Sequence, residues 1–167
     1  MEEDELIGIA SDHAGYALKE AIKKSLLEMG LRVEDFGSHG EASVDYPDFG
    51  ARVAEAVSQG RMKRGILLCG SGMGMAIVAN KFPGVRGAHC HDEVEARLAK
   101  EHNDANILIM GGRVLDEALA GRMVKIWLET PFAGGRHQRR LDKIRAIEER
   151  TMREGPEAPR GLKEREG

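Results

Sequence analysis

The chain has 167 residues, 41% of them hydrophobic and 32% charged, which is typical of a soluble globular protein and predicts a single domain. A net charge of -3 and an aromatic content of 4% argue against a nucleic-acid-binding surface, and no apolar stretch approaches the length of a membrane span. The two cysteines and the acidic start predict neither a disulfide framework nor a signal peptide, so we expect a reducing, cytoplasmic setting.

Short apolar runs alternate with amphipathic helical stretches along most of the chain. We predict strands over residues 6–10, 32–36, 65–68, 85–90 and 106–110. We predict helices over residues 15–29, 48–59, 75–80, 92–101 and 115–127, and a last helix that begins near Arg136. This alternation favours an α/β fold of three layers, namely a parallel sheet with helices on both faces.

The last residues differ in composition from the rest of the chain. Residues 151–167 form a heavily charged tract that glycines and prolines interrupt and that has almost no apolar side chains. We therefore predict a single domain over residues 1–150 and a mobile C-terminal tail over residues 151–167. A tail that binds a partner is the alternative.

The segment from Cys69 to Gly74 is the most informative stretch. It follows an apolar strand and precedes a helix, so its backbone N–H groups form a nest that suits an anion. Cys69 at the edge of this nest is a candidate base or nucleophile. Met75 stands where a dinucleotide fingerprint needs glycine, and no P-loop lysine follows, so the anion would belong to a substrate or an intermediate. A tight turn without a ligand is the alternative.

Other candidate residues follow the first strand or end a helix. Asp12 and His13 come directly after the first strand, where they are either a helix cap and a loop residue or an acid–base and phosphate-binding pair. His102 and Asn103 end the helix before the fifth strand and are candidates for a functional role. The alternative is that His102 only interacts with the helix dipole and that Asn103 only ends the helix as its C-cap.

Arginines stand at two further positions that suit an anion. Arg113 follows the fifth strand, and the carboxyl ends of parallel strands are where ligands bind in such sheets. Arg136 and Arg140 share one face at the start of the last helix, where the helix dipole disfavours cations. A bound phosphate would relieve that conflict, and a solvated basic face is the alternative.

The run His89-Cys90-His91-Asp92 has the residue types of a metal site but not its spacing. Neighbouring residues of a strand point to opposite faces, so these four side chains cannot all reach one ion. We therefore predict no metal.

Several motifs stand in one characteristic order between about residue 6 and residue 150. They are Ser11-Asp12-His13-Ala14-Gly15, Asp45-Tyr46-Pro47-Asp48, Cys69-Gly70-Ser71-Gly72-Met73-Gly74, Ala79-Asn80-Lys81, His102-Asn103-Asp104, Gly112-Arg113 and Gly135-Arg136-His137-Gln138. With them the chain resembles the ribose-5-phosphate isomerase B family, in the group that includes galactose-6-phosphate isomerase subunits. The resemblance implies a metal-free aldose–ketose isomerase with a Rossmann-like fold and no cofactor. It also implies a dimer or tetramer whose sites lie across the subunit interface, and a place in the pentose phosphate pathway.

The resemblance also implies roles for particular residues. Cys69 would move a proton between C1 and C2 of the sugar, and His102 would open the furanose ring with Asp12 contributing. The oxyanion would be held by the loop made of Gly70, Ser71, Gly72, Met73 and Gly74, with the Ser71 side chain assisting. The phosphate would be held by His13, Arg113, Arg136 and Arg140, and the sugar hydroxyls by Asn103. One branch of the family uses a glutamate as the base just after the glycine-rich loop. In this chain Met75 stands at that position, and because a methionine cannot take a proton, the resemblance implies Cys69 as the base.

We therefore expect an isomerase that interconverts ribose 5-phosphate and ribulose 5-phosphate. An isomerase of 6-phosphohexoses and a non-catalytic module that binds sugar phosphates are the alternatives. The thiol distinguishes an enzyme from a binding module, because binding alone needs no base beside the nest.

Overall fold

The computed structural model describes residues 5–154. Its strands are β1 (Leu6–Ser11), β2 (Arg32–Asp35), β3 (Arg64–Cys69), β4 (Gly87–His89) and β5 (Ile107–Gly111). Its helices are α1 (Tyr16–Glu28), α2 (Tyr46–Ser58), α3 (Met73–Ala79), α4 (Glu93–Asn103), α5 (Glu117–Glu129) and α6 (Arg136–Glu154). These bounds lie within a few residues of those predicted from hydrophobic periodicity.

The strands of the described residues form a parallel sheet in the order β2-β1-β3-β5-β4, which confirms the predicted α/β fold. From β1 the chain passes to β2 on one side and returns to β3 on the other. The carboxyl ends of β1 and β3 therefore flank a switch point of the sheet, which is where ligands bind in folds of this kind.

Helices cover both faces of the sheet and define two cores. Buried side chains of α1, α4 and α5 pack with alternate strand residues on one face, where Trp127 is fully buried. Buried side chains of α2 and α3 pack on the other face, and Met75 and Cys69 belong to that core. The intervening strand residues point to opposite faces because the side chains of a strand alternate. The two cores hold the sheet rigid beneath the loops at its carboxyl edge.

The described chain divides into two compact units, of which the first ends at Gly134 and the second begins at Gly135. The second unit contains α6, which continues to Glu154. Residues 151–154, with which the predicted mobile tail begins, are therefore helical, and their mobility stays a prediction. The helix continues because no glycine or proline interrupts the chain before Gly155. The rest of the predicted tail, residues 155–167, lies outside the described residues. Over residues 5–154, no helix combines the length and the apolar character that crossing a bilayer requires.

Candidate active site

Loops from three neighbouring strands meet at the carboxyl edge of the sheet. The N–H of Gly112, after β5, donates to the carbonyl of Cys69 over 2.8 Å. The N–H of Arg113 donates to the carbonyl of Gly70 over 3.0 Å. These bonds connect the loop after β5 to the glycine-rich loop after β3, so backbone geometry determines where both loops lie.

Two glycines allow the loop after β1 to approach equally closely. A Cβ on Gly15 would lie 2.8 Å from the Cβ of Leu68, in β3. A Cβ on Gly112 would lie 2.8 Å from the carbonyl oxygen of Ala14. Any larger residue at either position would force the loops apart. The glycines of the motifs therefore bring the three loops together.

Cys69 is the last residue of β3, and its sulfur faces the glycine-rich loop. The residue is 4% exposed. Its Sγ accepts a hydrogen bond from the N–H of Gly72 over 3.2 Å. Gly72 has a φ of +84° and precedes the first residue of α3. An N–H donor at the start of a helix favours a negative charge on its acceptor, so this contact suits a thiolate.

The other residues of the glycine-rich loop surround the start of α3. The hydroxyl of Ser71 accepts from the N–H of Met73 over 3.4 Å, and Met73 itself is 62% exposed. A Cβ on Gly74 would lie 2.6 Å from Cζ of Tyr46, so the tyrosine ring packs directly on this turn. The sequence motif contains Tyr46, but only the folded chain shows that its ring meets the loop.

Asp12 and His13 lie beside this loop. Asp12 is buried, and its Oδ1 accepts from the N–H of Gly15 over 2.9 Å in the turn before α1. No side chain caps α1, whose N-cap residue is Gly15, so the alternative that Asp12 caps this helix is wrong. Nδ1 of His13 accepts from the N–H of Val44 over 3.2 Å. A neutral imidazole then carries its proton on Nε2, which is left to donate to a ligand. Sequence reasoning missed Val44, because the group involved is its backbone and its side chain carries no signal.

Arg113 is an exposed side chain next to the glycine-rich loop. A Cβ on Gly70 would lie 3.6 Å from both Cδ and Nη1 of Arg113. The guanidinium therefore lies beside the loop that the sequence predicts as an anion nest. The guanidinium of Arg113 and the Nε2 donor of His13 therefore lie at the same edge of the sheet.

His102 and Asn103 lie elsewhere in the chain. They end α4, and the carbonyl of Asn103 accepts from Nε of Arg86 just before β4 begins. That is the amino edge of the sheet, whereas Cys69 ends β3 at the carboxyl edge. A strand as long as β3 separates the two edges by roughly 16 Å. One chain alone therefore does not bring His102 and Asn103 to Cys69.

Arg136 and Arg140 lie in the second unit, on the first two turns of α6. Both side chains are exposed. The first turn of this helix contains no acidic residue, so its cations are not offset there against the helix dipole. The feature that suggested a phosphate site is therefore present in the folded helix.

The four residues His89-Cys90-His91-Asp92 do not form one site but have different structural roles. Asp92 caps α4 by accepting from the N–H of Glu95 over 2.7 Å. Burial, together with the charges of Glu95 and Asp92, raises the pKa of Cys90 to about 12. Within the described residues, no group of three or more His, Cys, Asp or Glu side chains is arranged to hold a metal ion. His89 instead packs against Gly72, a contact that its residue type did not indicate.

Comparisons with known proteins show which family this chain belongs to. The model of the Ribose/Galactose Isomerase family matches residues 7–144. The ribose-5-phosphate isomerase B of Escherichia coli (strain K12) is 43% identical over 144 residues, which cover 86% of this chain and 97% of that protein. The solved ribose-5-phosphate isomerase B of Clostridium thermocellum is 53% identical with a TM-score of 0.85, over 87% of this chain and 98% of that one. The Mycoplasma genitalium enzyme, solved with bound ribulose-5-phosphate, is 40% identical with a TM-score of 0.83, over 86% and 96% of the two chains.

Proposed function

Because this chain belongs to the ribose/galactose isomerase family, we propose that it interconverts ribose 5-phosphate and ribulose 5-phosphate through an enediolate. The observation that carries this proposal is the contact between the Cys69 sulfur and the Gly72 N–H at the carboxyl edge of the sheet. It combines a base with backbone donors in one loop, which is what proton abstraction beside a carbonyl requires.

In the proposed reaction, Cys69 acts as a thiolate base. It removes the proton from C2 of the open-chain aldose, and the electrons of that C–H bond form the C1–C2 double bond while the carbonyl electrons move to O1. The thiol then returns a proton to C1, and the proton of the C2 hydroxyl passes to O1, so that C2 becomes the ketone and O1 the new hydroxyl. The step needs no oxidant or reductant, because the substrate and the product are isomers.

The enediolate oxygens need donors that are already in place. We assign this role to the loop of residues 70–74 and its backbone N–H groups, with the Ser71 hydroxyl assisting; within this loop the Gly72 N–H serves the Cys69 sulfur. Donors of this type each contribute about 10²–10³ in rate in enzymes where they have been removed. The close packing of the three loops keeps these donors fixed without help from long side chains.

Two other groups, Met75 and Cys90, are poor candidates for the base. Met75 is fully buried in the core beneath α3, and a thioether takes no proton at neutral pH. Cys90 is buried and stays protonated, since burial raises its pKa to about 12. Cys69 is therefore the base that we assign. Both cysteines are free thiols, which suits the reducing cytoplasm that we propose as the setting.

The remaining roles divide between the two ends of the substrate. We assign the phosphate to His13, Arg113, Arg136 and Arg140, ring opening to His102 with Asp12, and hydroxyl contacts to Asn103. His102 and Asn103 lie at the opposite edge of the sheet from Cys69. We therefore propose that a second copy of the chain supplies them, in a homodimer or a tetramer.

The test is an assay with ribose 5-phosphate on the native protein and two matched cysteine variants. Cys69→Ala should lower kcat by about a thousandfold or more while KM changes little, because the thiol acts in the transition state. Cys90→Ala should keep nearly native kcat. Near-native turnover in Cys69→Ala would remove the thiol from the mechanism, and absence of turnover in the native protein would remove this substrate.

The choice of a pentose needs its own comparison. A pocket that holds the phosphate at one end and the reacting carbons at the other measures the length between them, and a misfit of about 1 Å can cost on the order of a hundredfold in rate. We expect kcat/KM to be higher for ribose 5-phosphate than for allose 6-phosphate or galactose 6-phosphate. A higher value for either hexose phosphate would assign the chain to the alternative substrate with the same mechanism.

A further inference from the structure

The ring of His89 lies at the end of β4, directly behind the glycine-rich loop. A Cβ on Gly72 would overlap Nε2 of His89 and would lie 2.7 Å from its Cδ2. On another side, the same Cβ would lie 3.1 Å from the carbonyl carbon of Met110, in β5. Gly72 is therefore enclosed between the histidine ring and the end of the neighbouring strand, in a left-handed conformation with φ +84°.

The ring nitrogen that faces Gly72 lacks a hydrogen-bond partner among the described residues. Nε2 of His89 is buried, and among residues 5–154 no group forms a well-aligned hydrogen bond with it. A buried polar atom without a partner costs free energy, so an apolar side chain would fill the same space more favourably. Packing alone therefore does not account for a histidine at this position.

The backbone of Ser71 lies close enough to the ring to affect its protonation. Burial lowers the pKa of His89, and the charge of His91 lowers it further. The nearby Ser71 backbone and the charge of Glu95 act in the opposite direction and raise it. A backbone group that favours the protonated ring is an acceptor, which identifies the Ser71 carbonyl as the partner within reach.

The Ser71 carbonyl and the Gly72 N–H are the two ends of one peptide group. This N–H donates to the sulfur of Cys69 over 3.2 Å. A donor placed on the carbonyl of a peptide polarises the group and strengthens its N–H as a donor. The histidine ring and the cysteine sulfur therefore lie on opposite ends of the same hydrogen-bonding unit.

We propose that His89 is a positioning residue of the isomerase: it holds the Ser71–Gly72 peptide so that the Gly72 N–H stays directed at the Cys69 sulfur. This inference rests on the proposed role of Cys69 as the base. Nε2–H of His89 donates to the Ser71 carbonyl when substrate orders the loop, since catalytic hydrogen bonds are often poorly aligned in the free enzyme and tighten in the complex. The thiolate form of Cys69 is thereby favoured.

Three variants separate the donor from the bulk of the ring. His89→Leu keeps an apolar side chain behind Gly72 but removes the donor, and His89→Gln keeps a donor of similar reach. His91→Ala is the matched control, since its ring lies 4.3 Å from that of His89 but is half exposed and pairs with Glu95. We expect kcat for ribose 5-phosphate to fall about tenfold or more in His89→Leu with KM within about twofold. His89→Gln should recover part of the loss, and His91→Ala should stay near native.

A second readout needs no substrate. In a Cys90→Ala background, Cys69 is the sole cysteine, and the ultraviolet absorbance of the thiolate reports its ionised fraction at neutral pH. We expect this fraction to fall in His89→Leu and not in His91→Ala. Circular dichroism checks folding, and if His89→Leu does not fold, His89→Asn replaces it, because the shorter amide does not reach the Ser71–Gly72 peptide.

These measurements distinguish the two proposals. Activity in Cys69→Ala would contradict the proposed function and leave the thiolate measurement as the test of the His89 contact. An unchanged thiolate fraction and an unchanged kcat in a folded His89→Leu variant would overturn the positioning role. Equal losses in His89→Leu and His91→Ala would also overturn it, because they would reflect general disturbance of β4.

Discussion

The backbone N–H of Val44 donates a hydrogen bond to Nδ1 of His13 over 3.2 Å, although 31 residues separate the two in sequence. The bond connects the loop before α2 to the loop after β1. It also determines the tautomer of a neutral His13, whose proton then lies on Nε2. The loop before α2 therefore decides which nitrogen of a neutral His13 is free to donate to the phosphate that we propose it binds.

Removal of that N–H should weaken phosphate binding. Val44→Pro deletes the donor, whereas Val44→Ala keeps it and serves as the matched control. One hydrogen bond contributes about 1 kcal/mol, so we expect KM for ribose 5-phosphate to rise about fivefold in Val44→Pro and to stay within about twofold in Val44→Ala. Competition by inorganic phosphate should weaken in parallel. Equal KM values in the two folded variants would show that the bond does not orient His13.

Mixing of two inactive variants should restore activity if two subunits share each site. His102 ends α4 at the amino edge of the sheet, far from Cys69 at the other edge. Cys69→Ala and His102→Ala subunits, exchanged by mild denaturation and refolding, should therefore form mixed dimers with one intact site. Random pairing of equal amounts predicts about a quarter of native activity for a symmetric dimer.

The control for subunit mixing is the double variant Cys69→Ala/His102→Ala. Its mixture with either single variant forms no intact site and should stay inactive. Light scattering establishes the oligomeric state of each sample. A fully active native monomer, or no recovered activity in mixtures with verified exchange, would contradict shared sites.

Arg136 should contribute to phosphate binding. The first turn of α6 contains no acidic residue, so no carboxylate of that turn offsets Arg136 against the helix dipole. We expect Arg136→Ala to raise KM by about tenfold or more, since charge-assisted hydrogen bonds to phosphate are strong. Arg145→Ala is the control, because Arg145 lies further along the same helix and pairs with Glu149 over 3.1 Å. An unchanged KM in Arg136→Ala, together with no inhibition of the native enzyme by inorganic phosphate, would remove the role.

A buried ion pair should make stability depend on pH. Asp35 ends β2 and accepts from Nζ of both Lys19 and Lys23 over 2.7 Å, and the Lys19 side chain is fully buried. Burial by itself would raise the pKa of Asp35, but hydrogen bonds from Lys19, Lys23 and the Gly37 N–H lower it below the ordinary value. A lowered pKa in the folded state stabilises the fold above the unfolded-state pKa, and the stabilisation is lost as the pH falls through the folded value.

Asp35→Asn should therefore be less stable than the native chain at neutral pH, by on the order of 2 kcal/mol, because Lys19 loses a buried partner. Thermal unfolding should show a Tm lower by several degrees. The difference should begin to shrink as the pH falls below about 4, the ordinary pKa of a carboxyl, and should disappear below the lower pKa of folded Asp35. Glu34→Gln is the control on the same strand, where Glu34 is exposed. Equal losses of Tm in the two variants, or a difference that does not change with pH, would contradict this account.

The sequence by itself determined the order of strands and helices, because hydrophobic periodicity is a local property of the chain. It also located the loop from Cys69 to Gly74, because a glycine-rich turn between a strand and a helix is recognisable without tertiary context. Only the tertiary structure showed that Val44 meets His13 and that His89 lies behind Gly72. Both contacts join segments that are distant in sequence. The first is made by a backbone N–H, and the second depends on the positive φ of Gly72. The order of the strands and the packing of the loops determine both, and neither can be seen in a local sequence pattern. The separation of His102 from Cys69 likewise follows from the direction in which α4 runs across the sheet.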